Sequence, residues 1–133
     1  VKEIFKAGDK KEYEKVVTEQ DTATFDSGEV HPVYSTFALG RDAEWAGRLF
    51  VLEMKEEDEE GIGTFLNITH HSPAMVGETV VIESTVDKIY GNSVDCIFEV
   101  KCGERIVASG TQGQKILKKT RIKTLFESIS NGG

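Results

Sequence analysis

No apolar run in this sequence approaches the roughly 20 residues that cross a bilayer. The opening segment Val1-Lys2-Glu3-Ile4-Phe5-Lys6 turns polar at once, without the apolar stretch of a secretory leader. Positive charge is in deficit as well: 16 Lys and Arg against 23 Asp and Glu leave a net charge of -7. Nucleic acids and anionic membranes recruit concentrated positive charge, so neither is an expected partner, and the missing span and leader pattern make a cytoplasmic location the expectation. Cysteine is scarce. Cys96 and Cys102, on one strand, sit about 20 Å apart along it and cannot pair with each other. Their spacing fits neither a zinc knuckle nor a redox motif, and both read as small buried hydrophobes. With three histidines, and no His-Glu-x-x-His helix, EF-hand loop, Gly-rich phosphate loop or Gly-x-Ser-x-Gly elbow, neither a metal nor a cofactor is expected.

What is present suits one domain spanning residues 1–133, long enough to bury a core without covalent staples. A hydrophobic share of 38% beside 29% charged residues is that of an ordinary globular protein. Residues 33–54 carry the one long helical pattern. Leu39, Ala43, Ala46 and Phe50 recur at i, i+4, i+7, i+11, and Ala38, Trp45, Leu49 and Leu52 form a second stripe beside them, which predicts burial on more than one side. The remaining narrow face holds Gly40, Arg41, Glu44, Gly47 and Arg48. An interior glycine costs about 1 kcal/mol relative to alanine, so two of them point to a close approach around Glu44. Ser35 or Thr36 is the expected N-cap.

Elsewhere the pattern is that of strands. An irregular arm leads into a strand at residues 13–18, and 19–32 read as a loop with a short extended piece at 22–25. The charged run 55–61 reads as solvated. From Ile62 the period becomes two, with Ile62, Leu66, Ile68 and His70 on one face and Gly63, Phe65, Asn67, Thr69 and His71 on the other. Residues 79–90 form a strand whose parity slips near Lys88-Ile89, as a bulge requires. Gly91-Asn92 turns into a strand with Val94, Cys96, Phe98, Val100 and Cys102 inward, and Gly103-Glu104 turns into another at 105–117. Residues 118–129 form a closing helix with Ile122, Leu125, Phe126 and Ile129 on one side. One buried helix with one antiparallel sheet makes an α+β domain whose sheet wraps the helix.

The polar candidates near such a core are Thr36, Glu44, His70, His71 and Ser72. Strand alternation lets only one of His70 and His71 face the helix, and His70 is in phase with Ile62, Leu66 and Ile68. Three of them have a plain structural role: Thr36 as a cap, His70 as a core histidine, and Glu44 as the i, i+4 ion-pair partner of Arg48.

Taken in order, Val33-Tyr34-Ser35-Thr36, Glu44-Trp45-Ala46, Gly63-Thr64 and Thr69-His70 resemble the fluoroacetyl-CoA thioesterase-like family of hot dog fold thioesterases, over most of the chain. The resemblance implies a hot dog fold and a homodimeric acyl-CoA thioesterase. Its catalytic set of a threonine at the start of the central helix, a glutamate eight residues on and a histidine near the end of the next strand matches Thr36, Glu44 and His70. Gly63 matches a glycine that lines the site. Gln112-Gly113-Gln114 stand where the family has a charged His-Glu-Arg, and residues 26–32 match poorly, so fluoroacetyl specificity is not implied.

Thioester hydrolysis needs a nucleophile or an activated water, with donors for the oxyanion, and the N-terminus of a buried helix supplies aimed N–H groups. On this reading His70 is the general base, Glu44 its orienting or activating carboxylate, and Thr36 the nucleophile or a water positioner. The substrate is a short or small acyl-CoA. An acyl-CoA hydratase or dehydratase, and a non-catalytic CoA-ester binding module, are the alternatives. Lys118 and Lys119, within the densest basic segment, are candidates for the CoA phosphates, against the simpler reading of a solvated helix face. An edge strand over residues 62–71 predicts a two-fold dimer.

Overall fold

The computed structural model describes residues 1–25 and 28–132. Their elements in order are β1 (Lys10–Val16), a 3-10 turn (Glu19–Asp21), β2 (Thr22–Phe25), β3 (Gly28–Tyr34), α1 (Thr36–Met54), β4 (Glu59–His70), β5 (Thr79–Tyr90), β6 (Ser93–Cys102), β7 (Arg105–Lys118) and α2 (Lys119–Ser130). Five strands make one antiparallel sheet in the order β1-β5-β6-β7-β4, and β2 pairs with β3 separately. This is the α+β hot dog arrangement: α1 lies along the sheet and touches β1, β4, β5 and β7.

Ser35 caps α1, its Oγ accepting the Ala38 N–H at 3.0 Å, which satisfies one of the orphan donors of the first turn. Leu39, Ala43, Ala46 and Phe50 are fully buried, as their spacing requires. The second stripe is not: Ala38 is buried, but Trp45 is 40% and Leu52 41% exposed. The sheet closes instead over the glycine side of the helix. Gly40 and Gly47 are both buried, and a Cβ on Gly47 would stand 1.7 Å from Gln112 Nε2 of β7. The close approach around Glu44 is therefore made by β4 and β7.

Other elements depart from the sequence reading. β1 begins at Lys10 rather than Tyr13. β3 replaces part of the expected 19–32 loop, of which residues 26 and 27 lie outside the described residues. Pro32 and the polar composition hide that strand, which pairs with β2 and bridges from Val33 to Met75. The charged run is not all solvated, since Glu59 and Glu60 open β4 and Glu59 is 5% exposed. In β4, Gly63 pairs with Gln114 and Phe65 with Gly113, leaving Thr64 as an extra, bulged residue. Gly61 and Gly63 consequently face the helix together with Leu66, Ile68 and His70, and Ile62 faces away. The bulge in β5 falls between Val86 and Lys88, close to its expected place. α2 forms as expected, but none of its residues is buried.

Cys96 is buried and Cys102 half-buried, both as free thiols. Burial pushes the Cys96 thiol up to about 11, and Cys102 Sγ donates to Glu78 Oε2 at 3.2 Å.

Candidate active site

Thr36 is the first residue of α1, immediately after the Ser35 cap. The approach to it is anchored at three points. The Tyr34 N–H donates to the Ala74 carbonyl at 2.9 Å, the Ser35 N–H to the Asp21 carbonyl at 2.8 Å, and the Tyr34 hydroxyl to Asp42 Oδ2 at 2.5 Å. His70 ends β4, where the chain is held by the His71 N–H donating to the Val107 carbonyl at 2.8 Å. These anchors bring Thr36 Oγ1 to 2.9 Å from His70 Nε2, and both side chains are exposed to solvent.

Two clefts meet at Thr36. One, of about 350 Å³, runs past His70 and is walled by Val33, Tyr34, Pro73, Ala74 and Val107. The other, of about 400 Å³, lies between α1 and β4 and is lined by Phe37, Gly40, Arg41, Glu44, Leu66 and Ile68. Glu44, two turns along the helix, faces Gly63: a Cβ on that glycine would stand 2.7 Å from Glu44 Oε1. The glycine leaves the carboxylate its room. Glu44 is not held by Arg48, whose Nη2 donates to Glu60 Oε1 at 2.5 Å. Among the described residues, Glu44 has no side-chain hydrogen bond or ion pair, and none links it to His70. Thr36 is the residue the two clefts share.

Beneath this floor lies a charged cluster that sequence reasoning missed. Asp21 and Asp42 are 2% and 4% exposed. Lys15 Nζ stands 3.1 Å from Asp21 and 3.2 Å from Asp42, and Arg41 reaches both carboxylates at 2.9 and 3.1 Å. Burial by itself would raise the Asp21 carboxyl, but the Thr18 N–H, Arg41 and Lys15 outweigh it and hold the group well below the usual carboxylate range. Burial and the Asp42 carboxylate push the Tyr34 phenol far above its ordinary value. The members come from β1, the 3-10 turn, β3 and α1, so no local spacing announces them. A second buried polar group lies under Glu44, where Gln114 Nε2 donates to the Glu44 carbonyl and to Gln112 Oε1, each at 3.2 Å.

The remaining candidates lie elsewhere. His71 Nε2 is 2.8 Å from Ser109 Oγ on the outer face of the sheet, and the Ser72 hydroxyl donates to the Ile106 carbonyl at 2.7 Å. Lys118 pairs with Asp58 at 2.9 Å and lies opposite Glu59, at the end of the 12-residue β4 away from His70, roughly 35 Å along the strand. Among the described residues, no three His, Cys, Asp or Glu side chains come together as metal ligands, and no helix is long and apolar enough to cross a membrane.

Residues 17–120 match the model of the fluoroacetyl-CoA-specific thioesterase family. The chain belongs to that family. It is accordingly a hot dog thioester hydrolase of the acyl-CoA thioesterase kind. A hypothetical protein of Thermus thermophilus, a thioesterase superfamily member, is 33% identical over 94% of this chain and 93% of its own, with a TM-score of 0.89. A hot-dog-like protein of Thermanaerovibrio acidaminovorans shares the fold at 21% identity, TM-score 0.86, covering 95% of this chain and 93% of its own. A variant of the fluoroacetyl-CoA-specific thioesterase FlK does so at 19%, TM-score 0.86, covering 96% and 98%. No curated protein matches the chain significantly.

Proposed function

We propose that this thioesterase hydrolyses short acyl-CoA thioesters with Thr36, His70 and Glu44, without a metal. The 2.9 Å approach of Thr36 Oγ1 to His70 Nε2 carries the reading, because a hydroxyl bonded to imidazole at a helix N-terminus is an activated nucleophile beside the positive end of the helix dipole. With the ring proton on Nδ1, Nε2 accepts the Thr36 proton as Oγ1 attacks the thioester carbonyl, and the positive end of the α1 dipole stabilises the oxyanion. The C–S bond then breaks, and the imidazolium returns its proton to the departing CoA thiolate. Glu44, which lines the α1–β4 cleft with Thr36, takes a proton from the water that attacks the acyl-Thr36 ester and gives it to Thr36 Oγ1 as the ester C–O bond breaks, so the acid leaves and both side chains return to their starting states. Clefts of about 350 and 400 Å³ favour a small acyl group. Structures of FlK hold fluoroacetate with CoA, and acetyl-CoA, which supports CoA esters of small acids as the substrate class.

The working unit in this reading is a two-fold dimer paired through β4. That strand is the free edge of the sheet beside β7 and exposes Phe65 and Leu66, each 41%. Antiparallel pairing of two copies runs the Glu59 end of one β4 toward the His70 end of the other. Lys118 and Lys119 of the partner subunit are thereby carried toward this cleft, where CoA phosphates need positive charge. The test is release of free thiol from a panel of acyl-CoA esters. The expected result is fastest turnover with short acyl chains, lost by at least about 10²-fold in Thr36→Ala. Thiol release from none of the panel overturns the reading.

A further inference from the structure

The cleft between α1 and β4 carries a cation that the reaction above does not use. Arg41 Nε donates to Asp42 Oδ1 at 3.1 Å, and its Nη2 to Asp21 Oδ1 at 2.9 Å and to Asp42 Oδ2 at 3.3 Å. One edge of the planar fork is thus clamped by two buried carboxylates, although 59% of the side chain is open to solvent. The opposite nitrogen, Nη1, has no partner among the described residues. Arg41 lines the cleft together with Thr36 and Glu44. A guanidinium held on one edge and free on the other is a pre-oriented donor, with little side-chain entropy left to lose on binding.

Charge decides what it accepts. Behind the cleft the carboxylates of Asp21 and Asp42 are matched by Lys15 and Arg41, and Glu44 adds a further carboxylate in the cleft itself. Two cations against three carboxylates oppose a negative charge on the acyl group itself, whereas a neutral oxygen acceptor there meets no such opposition. We propose that Arg41 is a substrate-binding residue that selects acyl groups carrying a neutral oxygen, a hydroxyl or a carbonyl, a few bonds beyond the thioester. Apolar contact for the rest of the chain comes from Leu66 and Ile68 on the facing strand.

This inference rests on the cleft taking an acyl-CoA, and its test separates the two claims by reading binding without turnover. Calorimetry compares the non-hydrolysable thioethers S-butyl-CoA, S-(3-hydroxybutyl)-CoA and S-(3-carboxypropyl)-CoA. The wild-type protein binds the hydroxylated thioether on the order of 10-fold tighter than the butyl one, as one hydrogen bond to a charged donor warrants, and the carboxylated one no tighter than the butyl. Arg41→Lys keeps the charge opposite Asp21 and Asp42 but not the fork. In that variant the preference falls below about 2-fold while S-butyl-CoA binds as before. Equal wild-type affinity for the butyl and hydroxybutyl thioethers overturns the inference with no variant needed, as does a preference that survives in folded Arg41→Lys. Failure of thiol release strikes the proposed hydrolysis and leaves this comparison readable.

Discussion

Thr36 and His70 lie 34 positions apart in the chain yet 2.9 Å apart in space, and the two side chains flanking them serve other ends. Ser35 turns its hydroxyl back to cap α1, and His71 turns outward to Ser109. Residue-level substitutions therefore have an internal control. In the proposed mechanism His70→Ala lowers kcat by at least about 10²-fold, as loss of a general base does, while His71→Ala leaves kcat within a few-fold. Glu44→Gln keeps its shape and loses its charge. It also lowers kcat, with melting temperature unchanged, because Arg48 is engaged by Glu60 and no ion pair is broken. Steady-state thiol release with a parallel thermal melt checks all three, and equal damage from both histidine variants refutes the assignment of His70.

At the level of elements, the site depends on how closely α1 lies on β4 and β7, and two glycines register that distance differently. A Cβ on Gly47 would meet Gln112, which is 1% exposed and has no room to yield. Gly47→Ala is expected to destabilise the fold by about 1–3 kcal/mol, the usual cost of overpacking. A Cβ on Gly63 would meet only the end of the Glu44 side chain, which is exposed and free to swing aside. Gly63→Ala therefore leaves stability nearly unchanged and lowers turnover by displacing the carboxylate. Denaturant melts and kcat for the two variants read out the contrast, and a stability loss at Gly63 as large as at Gly47 contradicts it. The Thr64 bulge makes the arrangement possible, since without it Gly63 and His70 would face opposite sides of the sheet.

The molecule as a whole is tied beneath the site by the cluster of Lys15, Asp21, Tyr34, Arg41 and Asp42. The Asp21 carboxyl is depressed in the folded state, so its contribution to stability is fully present above its unfolded pKa of about 3.9 and is lost as pH falls below that toward the lowered folded value. Asp21→Asn should accordingly be less stable than wild type at neutral pH, with the gap in melting temperature narrowing below about pH 4; a gap that does not change with pH refutes the linkage. At the opposite edge of the sheet, sedimentation at micromolar concentration should find a dimer. A monodisperse monomer removes the β4 pairing and, with it, any role for Lys118 and Lys119 at the site.

Local pattern was enough for the helix, its cap, the β5–β6–β7 meander and its turns, because a period of 3.6 or 2 and a glycine at a turn are written into neighbouring residues. Leu39, Ala43, Ala46 and Phe50 are buried for that reason. The order of Thr36, Glu44, Gly63 and His70 along the chain also carried the family. Only the tertiary structure decided which side of α1 the sheet covers, because Trp45 and Leu52 are as apolar as the residues that are buried. It also decided the parity of β4, which one extra residue reverses. The cluster under Tyr34 and the free edge of Arg41 were beyond sequence reading, since ion pairs and a hydrogen bond among four separate elements leave no periodicity behind.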